Sequence, residues 1–184
     1  MMSRYKRNYE NGGLYFFTVV AYKRQKIFIG PLIDILRASF KKIIVEAPFT
    51  IEAIVVLPDH VHCIWQLPDG DNDFSTRWKN IKADFSKQYK EKFGQPKQQI
   101  SVSMKKKGEI GIWQRRFWEH TISNDKDFIN HCDYIHYNPV KHGYAQAPNQ
   151  WPHSSFQRFV HEGLYDEAWG SLQRPELPGN IGGE

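Results

Sequence analysis

The chain has 184 residues, a formal charge of +5 and 40% hydrophobic residues, enough to bury one substantial core and too short for two. No apolar run reaches membrane-spanning length, the segment Met1 to Arg7 lacks the apolar centre of a secretory signal, and Cys63 and Cys132 suit neither a zinc knuckle nor a disulfide scaffold. The sequence thus excludes a membrane-embedded or disulfide-stapled protein and predicts a cytoplasmic one, with a single domain over residues 1–172 and a disordered tail over 173–184.

Leu14 to Tyr22 is rich in aromatic and β-branched residues and follows Gly12-Gly13, which predicts a buried first strand. Pro31 stands at a first helical turn, and Leu32, Ile35, Leu36, Phe40, Ile43 and Ile44 recur at helical spacing up to Glu46. Phe49 to Leu57 and His60 to Leu67 are apolar runs parted by Pro58-Asp59, the pattern of a hairpin. Asp73 or Ser75 can cap a helix from about Phe74 to Phe93, with Trp78, Ile81, Phe85 and Tyr89 on one stripe. Gly94 to Gly108 has no periodicity and is expected to form a mobile basic loop, and Ile110 to His120 an extended segment. Asn124 or Asp125 then caps a helix that reaches a stop at Asn138-Pro139. Strand, helix, hairpin, helix, strand is the ferredoxin-like order, an α+β antiparallel sheet with helices expected on one face.

Chemistry concentrates in two segments. In Leu57-Pro58-Asp59-His60-Val61-His62 the two histidines are one residue apart, so on a strand they share a face and can share an ion. In Asp133-Tyr134-Ile135-His136-Tyr137-Asn138-Pro139 a tyrosine and an amide stand four apart, neighbours on a helix. Two histidines, an amide and a tyrosine make a metal-assisted phosphoryl-transfer site if the segments meet. Tyr134, paired with Asn138, is favoured over Tyr137 as a nucleophile that conserves the phosphoryl bond in a phosphotyrosine linkage. His60 and His62, with the Asn138 carbonyl as third ligand, would hold a divalent ion that polarises the phosphate. Nitrogen and oxygen donors without thiolate suit Mg2+ or Mn2+. His120, His131, His136, His142, His153 and His161 lack comparable pairing and are assigned to surface or structure.

Positive charge is uneven. Arg4, Lys6, Arg7, Lys23, Arg24 and Lys26 face only Glu10 at the amino end, and the Lys- and Arg-rich stretch 75–107 contains only Asp84 and Glu91 as acids. Such clusters suit a polyanion. The DNA-binding candidates are Arg4, Lys6, Arg7, Lys79, Lys82, Arg115, Arg116 and Lys141, with aromatics near Arg115-Arg116 available for base stacking.

The His60-Val61-His62 motif after Leu57-Pro58-Asp59, the stretch Trp113-Gln114-Arg115-Arg116-Phe117-Trp118-Glu119-His120, and Tyr134-Ile135-His136-Tyr137-Asn138-Pro139-Val140-Lys141-His142-Gly143 together resemble the REP-associated tyrosine transposases, single-tyrosine HUH transposases. The similarity runs from about Arg4 to Phe156. The resemblance implies a ferredoxin-like HUH fold, a divalent metal on His60 and His62, Tyr134 as nucleophile, and cleavage and rejoining of single-stranded DNA at hairpins of repetitive extragenic palindromes (REP). Asn138 matches a position where relatives carry an amide ligand, commonly glutamine. The implied state is a monomer more readily than a dimer, with its DNA in the bacterial nucleoid. A rival reading is a non-catalytic hairpin-binding regulator, which would need none of His60, His62, Tyr134 and Asn138. A histidine-triad nucleotide hydrolase would want a third alternating histidine, and position 64 is Ile64.

Overall fold

The structure is a computed structural model and describes residues 12–96, 98–179 and 181–182. Four strands, β1 (Leu14–Val20), β2 (Thr50–Val56), β3 (His60–Gln66) and β4 (Trp118–Thr121), form one sheet in the order β2-β3-β1-β4, every pair antiparallel. That order is the ferredoxin-like one expected from the element sequence. The helices are α1 (Pro31–Glu46), α2 (Phe74–Phe93), α3 (Val102–Lys106), α4 (Asp125–Lys141) and α5 (Phe156–His161). Among the described residues no helix is long and apolar enough to cross a membrane.

Alternation along β1 and β3 divides the interior into two cores. Tyr15, Phe17 and Val19, with Val61, Cys63 and Trp65, face α1 and α2. Their packing is largely aromatic, with Trp65 stacked on Trp78 at 4.4 Å and Phe49 tilted against Trp65 with ring centroids 4.1 Å apart. Phe16 and Ile64, with Ala53 and Val55 of β2, face Ile135 and Tyr134 of α4. The helices therefore occupy both faces of the sheet, and the expectation of a single helical face is corrected: the second set of inward side chains is as apolar as the first and needs its own cover.

Local signals account for most element ends. Pro31 opens α1, Asp73 accepts the Thr76 backbone N–H to cap α2, and Asn124 accepts the Asp127 N–H to cap α4. Three expectations are revised. Gly94 to Gly108 contains α3, capped by the Ser101 hydroxyl. The segment 110–117 is not a strand, because Gly111 at φ 75° turns the chain and leaves only an isolated Ala21–Trp113 bridge. Trp113 joins the α1/α2 core and half-buried Phe117 packs against it. Pro139 does not stop α4, which continues to Lys141; buried Tyr134, Ile135 and Asn138 hold the preceding turn helical despite the bias of a residue before proline.

Candidate active site

The hairpin β2–β3 and the helix α4 bring the two chemical segments together. His60 and His62 point from β3 toward α4, with ring centroids 4.7 Å apart and both side chains fully buried. On α4, residues 134, 138 and 142 share one face at i, i+4 and i+8. The Tyr134 ring lies 5.1 Å from that of His62, and the His142 ring lies 5.1 Å from that of His60. Asn138 occupies the turn between them, and both atoms of its side-chain amide are buried without a hydrogen-bond partner among the described residues.

Each histidine is oriented through Nδ1. His60 Nδ1 donates to the Asp59 carboxylate at 2.7 Å, which leaves the lone pair on Nε2. Thr18 Oγ1 donates to the Gly182 carbonyl at 2.5 Å and so accepts from His62 Nδ1 at 2.9 Å, giving the same tautomer. This is the arrangement that turns an imidazole toward a metal, with the far nitrogen fixed by a carboxylate or hydroxyl. Burial acts to raise the Asp59 carboxyl, but the His60 hydrogen bond and Arg24, 3.3 Å away, outweigh it and hold the group below the ordinary range as an anion. A buried amide with nothing to bond to costs free energy that an ion or its water would remove. The donor set of two imidazoles, an amide oxygen and an ionised carboxylate behind them therefore fits a divalent cation.

Lys141 stands seven residues, two turns, after Tyr134. Its Nζ donates to the Tyr134 hydroxyl at 3.1 Å and lies 4.7 Å above the ring. The carboxyl-terminal segment also reaches the site. Leu177 and Ile181 pack on the second core, and a Cβ added at Gly182 would stand 2.1 Å from the Tyr134 hydroxyl oxygen. Tyr134 is only 3% exposed.

Of the residues singled out in the sequence, His60, His62, Tyr134, Asn138 and Lys141 converge. Lys79 and Lys82 lie on α2, across the sheet, where Lys82 Nζ donates to the Gln114 carbonyl and sits over the Trp113 and Phe117 rings. Arg115 is paired with Glu109 at 2.8 Å, and Arg116 is exposed beside it. Arg4, Lys6 and Arg7 lie outside the described residues. Sequence reasoning missed Thr18, the orienting role of Asp59 and the place of His142. The spacing of His142, four beyond Asn138, could have flagged it; nothing local marks Thr18, which reaches His62 through cross-strand register.

Comparison with known proteins gives the family. The family described as IS200-like transposase matches residues 12–138. A REP-associated tyrosine transposase of Escherichia coli K12 is 44% identical over 168 residues, 91% of this chain and 91% of that one. A Haemophilus influenzae chain provisionally given the same name is 43% identical over 182 residues, covering 98% of this chain and all of the other. A solved structure described as a REP-associated tyrosine transposase bound to a REP hairpin superposes with a TM-score of 0.79 at 41% identity, over 100% of this chain and 98% of that one.

Proposed function

The chain belongs to the IS200-like transposases, in the group of REP-associated tyrosine transposases, and from that premise we propose that it cleaves and rejoins single-stranded DNA at REP hairpins through a covalent phosphotyrosine. The observation that carries the reading is the meeting of Tyr134 with His62 at 5.1 Å, with Lys141 on the phenol oxygen and the buried Asn138 amide beside them.

The Tyr134 oxygen attacks the scissile phosphorus, a tyrosine–phosphate ester forms, and the strand's own P–O bond breaks to leave a hydroxyl. Attack by that hydroxyl on the ester reverses the step and rejoins DNA. A phenol, with an ordinary pKa of about 10, needs help to lose its proton. Lys141 supplies it: its ammonium donates a charge-assisted hydrogen bond to the oxygen on which negative charge accumulates. His60, His62 and Asn138 would hold Mg2+ or Mn2+, which when bound supplies Lewis-acid polarisation of the phosphate. Asp59 and Thr18 keep the imidazoles turned to that task.

Phosphate contacts fall to Lys141 and Arg116, with Arg4, Lys6 and Arg7 of the amino-terminal segment, and secondarily to Arg115, Lys79 and Lys82. The protein acts as a monomer on DNA in the bacterial cytoplasm, one domain over residues 1–172 with a tail over 173–184 whose Leu177 and Ile181 pack on the second core. The test is incubation with a single-stranded hairpin carrying the palindromic repeat plus Mg2+ or Mn2+. A denaturation-resistant protein–DNA adduct is expected, absent in Tyr134→Phe and His62→Ala and with chelator. Tight binding with no adduct under either metal would overturn the reading in favour of a hairpin binder.

A further inference from the structure

A row of aromatic rings leaves the histidine pair and runs over the surface. The His142 ring lies 5.1 Å from that of His60 and stacks 6.2 Å from Tyr144, and Tyr144 lies 5.7 Å from Trp151 with 33° between their planes. His153 follows, its ring 5.7 Å from Trp151 and edge-on to it. His142 is exposed, and the other three are half-buried. Tyr144 and Trp151 pack against the second core yet keep part of their surface in solvent. The row is tied to the outer edge of β2: Trp151 Nε1 donates to the Val56 carbonyl at 3.0 Å, the Val56 N–H donates to the His153 carbonyl at 2.8 Å, and Ser154 bridges to Val55.

Cations border the row. Lys26 Nζ sits 5.5 Å from the centre of the Tyr144 ring, and Arg37 Nη2 donates to His153 Nδ1 at 3.2 Å. Arg37 also meets Asp34 at 3.3 Å, but both are exposed, so water screens that pair and leaves the guanidinium able to bind an anion.

We propose that His142, Tyr144, Trp151 and His153, flanked by Lys26 and Arg37, form a track for the unpaired nucleotides beside the hairpin, with bases stacked on the rings and phosphates on the cations. The proposal rests on the transposase reading above and adds the path its DNA takes. Rings interleaved with cations are what single-strand binders use, the first for bases and the second for phosphates. Every base has a π-face, and a duplex keeps those faces inside its own stack, so the track selects unpaired DNA and tolerates changes of base. Its beginning beside His60 delivers the strand to the metal ligands and Tyr134. The bonds to β2 hold the row in place before DNA arrives, so little ordering is needed on binding.

The test is fluorescence anisotropy of labelled hairpins, with an unpaired flank on either side or with none, titrated with the full chain in chelator so that no strand is cut. Tyr144→Leu keeps an apolar side chain on the second core; it should weaken binding of at least one flanked hairpin about tenfold and leave the flankless one unchanged. Tyr144→Phe, which keeps the ring, should bind both normally. Removing the bases from the flank while keeping its sugars and phosphates should abolish the difference between Tyr144→Leu and the unaltered chain. Lys26→Gln/Arg37→Gln should make the fall of log affinity with log salt shallower by about 1.4 for the flanked hairpin, as loss of two single-strand phosphate contacts requires. Equal weakening by Tyr144→Leu on flanked and flankless hairpins, or none on either, would overturn the proposal and leave the row as cover for the second core. Failure of the phosphotyrosine reading would show separately, as flank-dependent binding by a chain that forms no adduct with Mg2+ or Mn2+.

Discussion

Replacing Lys141 by Met removes one positive charge and one donor while keeping the length and packing of the side chain. The lost interactions are the hydrogen bond at 3.1 Å from the ammonium to the Tyr134 oxygen and the ammonium's approach to that ring at 4.7 Å; the hydrogen bond belongs to a class that contributes about 1.5–3 kcal/mol. If the bond strengthens as negative charge gathers on that oxygen, its loss appears in the activation free energy at about 1.4 kcal/mol per tenfold in rate. Lys141 is exposed and partly screened, so the lower part of the range applies and adduct formation should slow roughly 10- to 40-fold. The assay is single-turnover adduct formation with hairpin DNA held above saturation, which separates the chemical step from binding. Lys141→Arg should retain most of the rate. A Lys141→Met rate within twofold of normal at saturating DNA, with only the affinity for DNA weakened, would refute the activating role and leave Lys141 a phosphate contact.

Asp59→Ala should weaken Mn2+ binding about 10- to 100-fold, as loss of a carboxylate behind a metal-ligating histidine does; calorimetric titration returning an unchanged affinity would remove Asp59 from the site. Gly182→Ala puts a methyl group where the Tyr134 hydroxyl lies and at a φ of +104° that suits glycine, so the 181–182 segment should be displaced and adduct formation accelerated roughly fivefold or more. A slower or unchanged rate would mean the segment does not limit access to Tyr134. His136 is fully buried and its pKa is pushed down from 6.5 to about 3 by burial and then by Arg158. A base depressed in the folded state binds more protons unfolded, so its contribution is complete above about pH 6.5 and is lost as pH falls toward 3. At pH 5 the loss is about 2 kcal/mol, and urea unfolding of His136→Gln against the unaltered chain should show a shallower decline between pH 7 and 5.

The sequence was most legible where one physical signal dominated. Asp73 and Asn124 each cap a helix start through a local bond, Pro31 opens one through its fixed φ, and the His60–His62 pair needs only the two-residue period of a strand. It was least legible where distant chain decides. The turn at Gly111 is set by contacts with Tyr22 and Gln25 across the molecule, and α4 runs through Pro139 with Tyr134, Ile135 and Asn138 buried in the turn before it. Within the site, Tyr134 and Asn138 could be paired by helical spacing, but Thr18 reaches His62 from 44 residues away across the strands, and Gly182 reaches Thr18 from 164 residues away.

Tyr134, Asn138 and Lys141 project from α4 and His142 from its cap, opposite the histidine pair of β3. A helix advances about 100° per residue. Deleting or inserting one residue between 134 and 138 would therefore rotate Tyr134 out of alignment with Asn138 while leaving both side chains present. The chain should tolerate changes of length at 94–108 and at none of the positions 134–142. A scan of single-codon deletions, scored by adduct formation, would map that boundary more sharply than any set of substitutions.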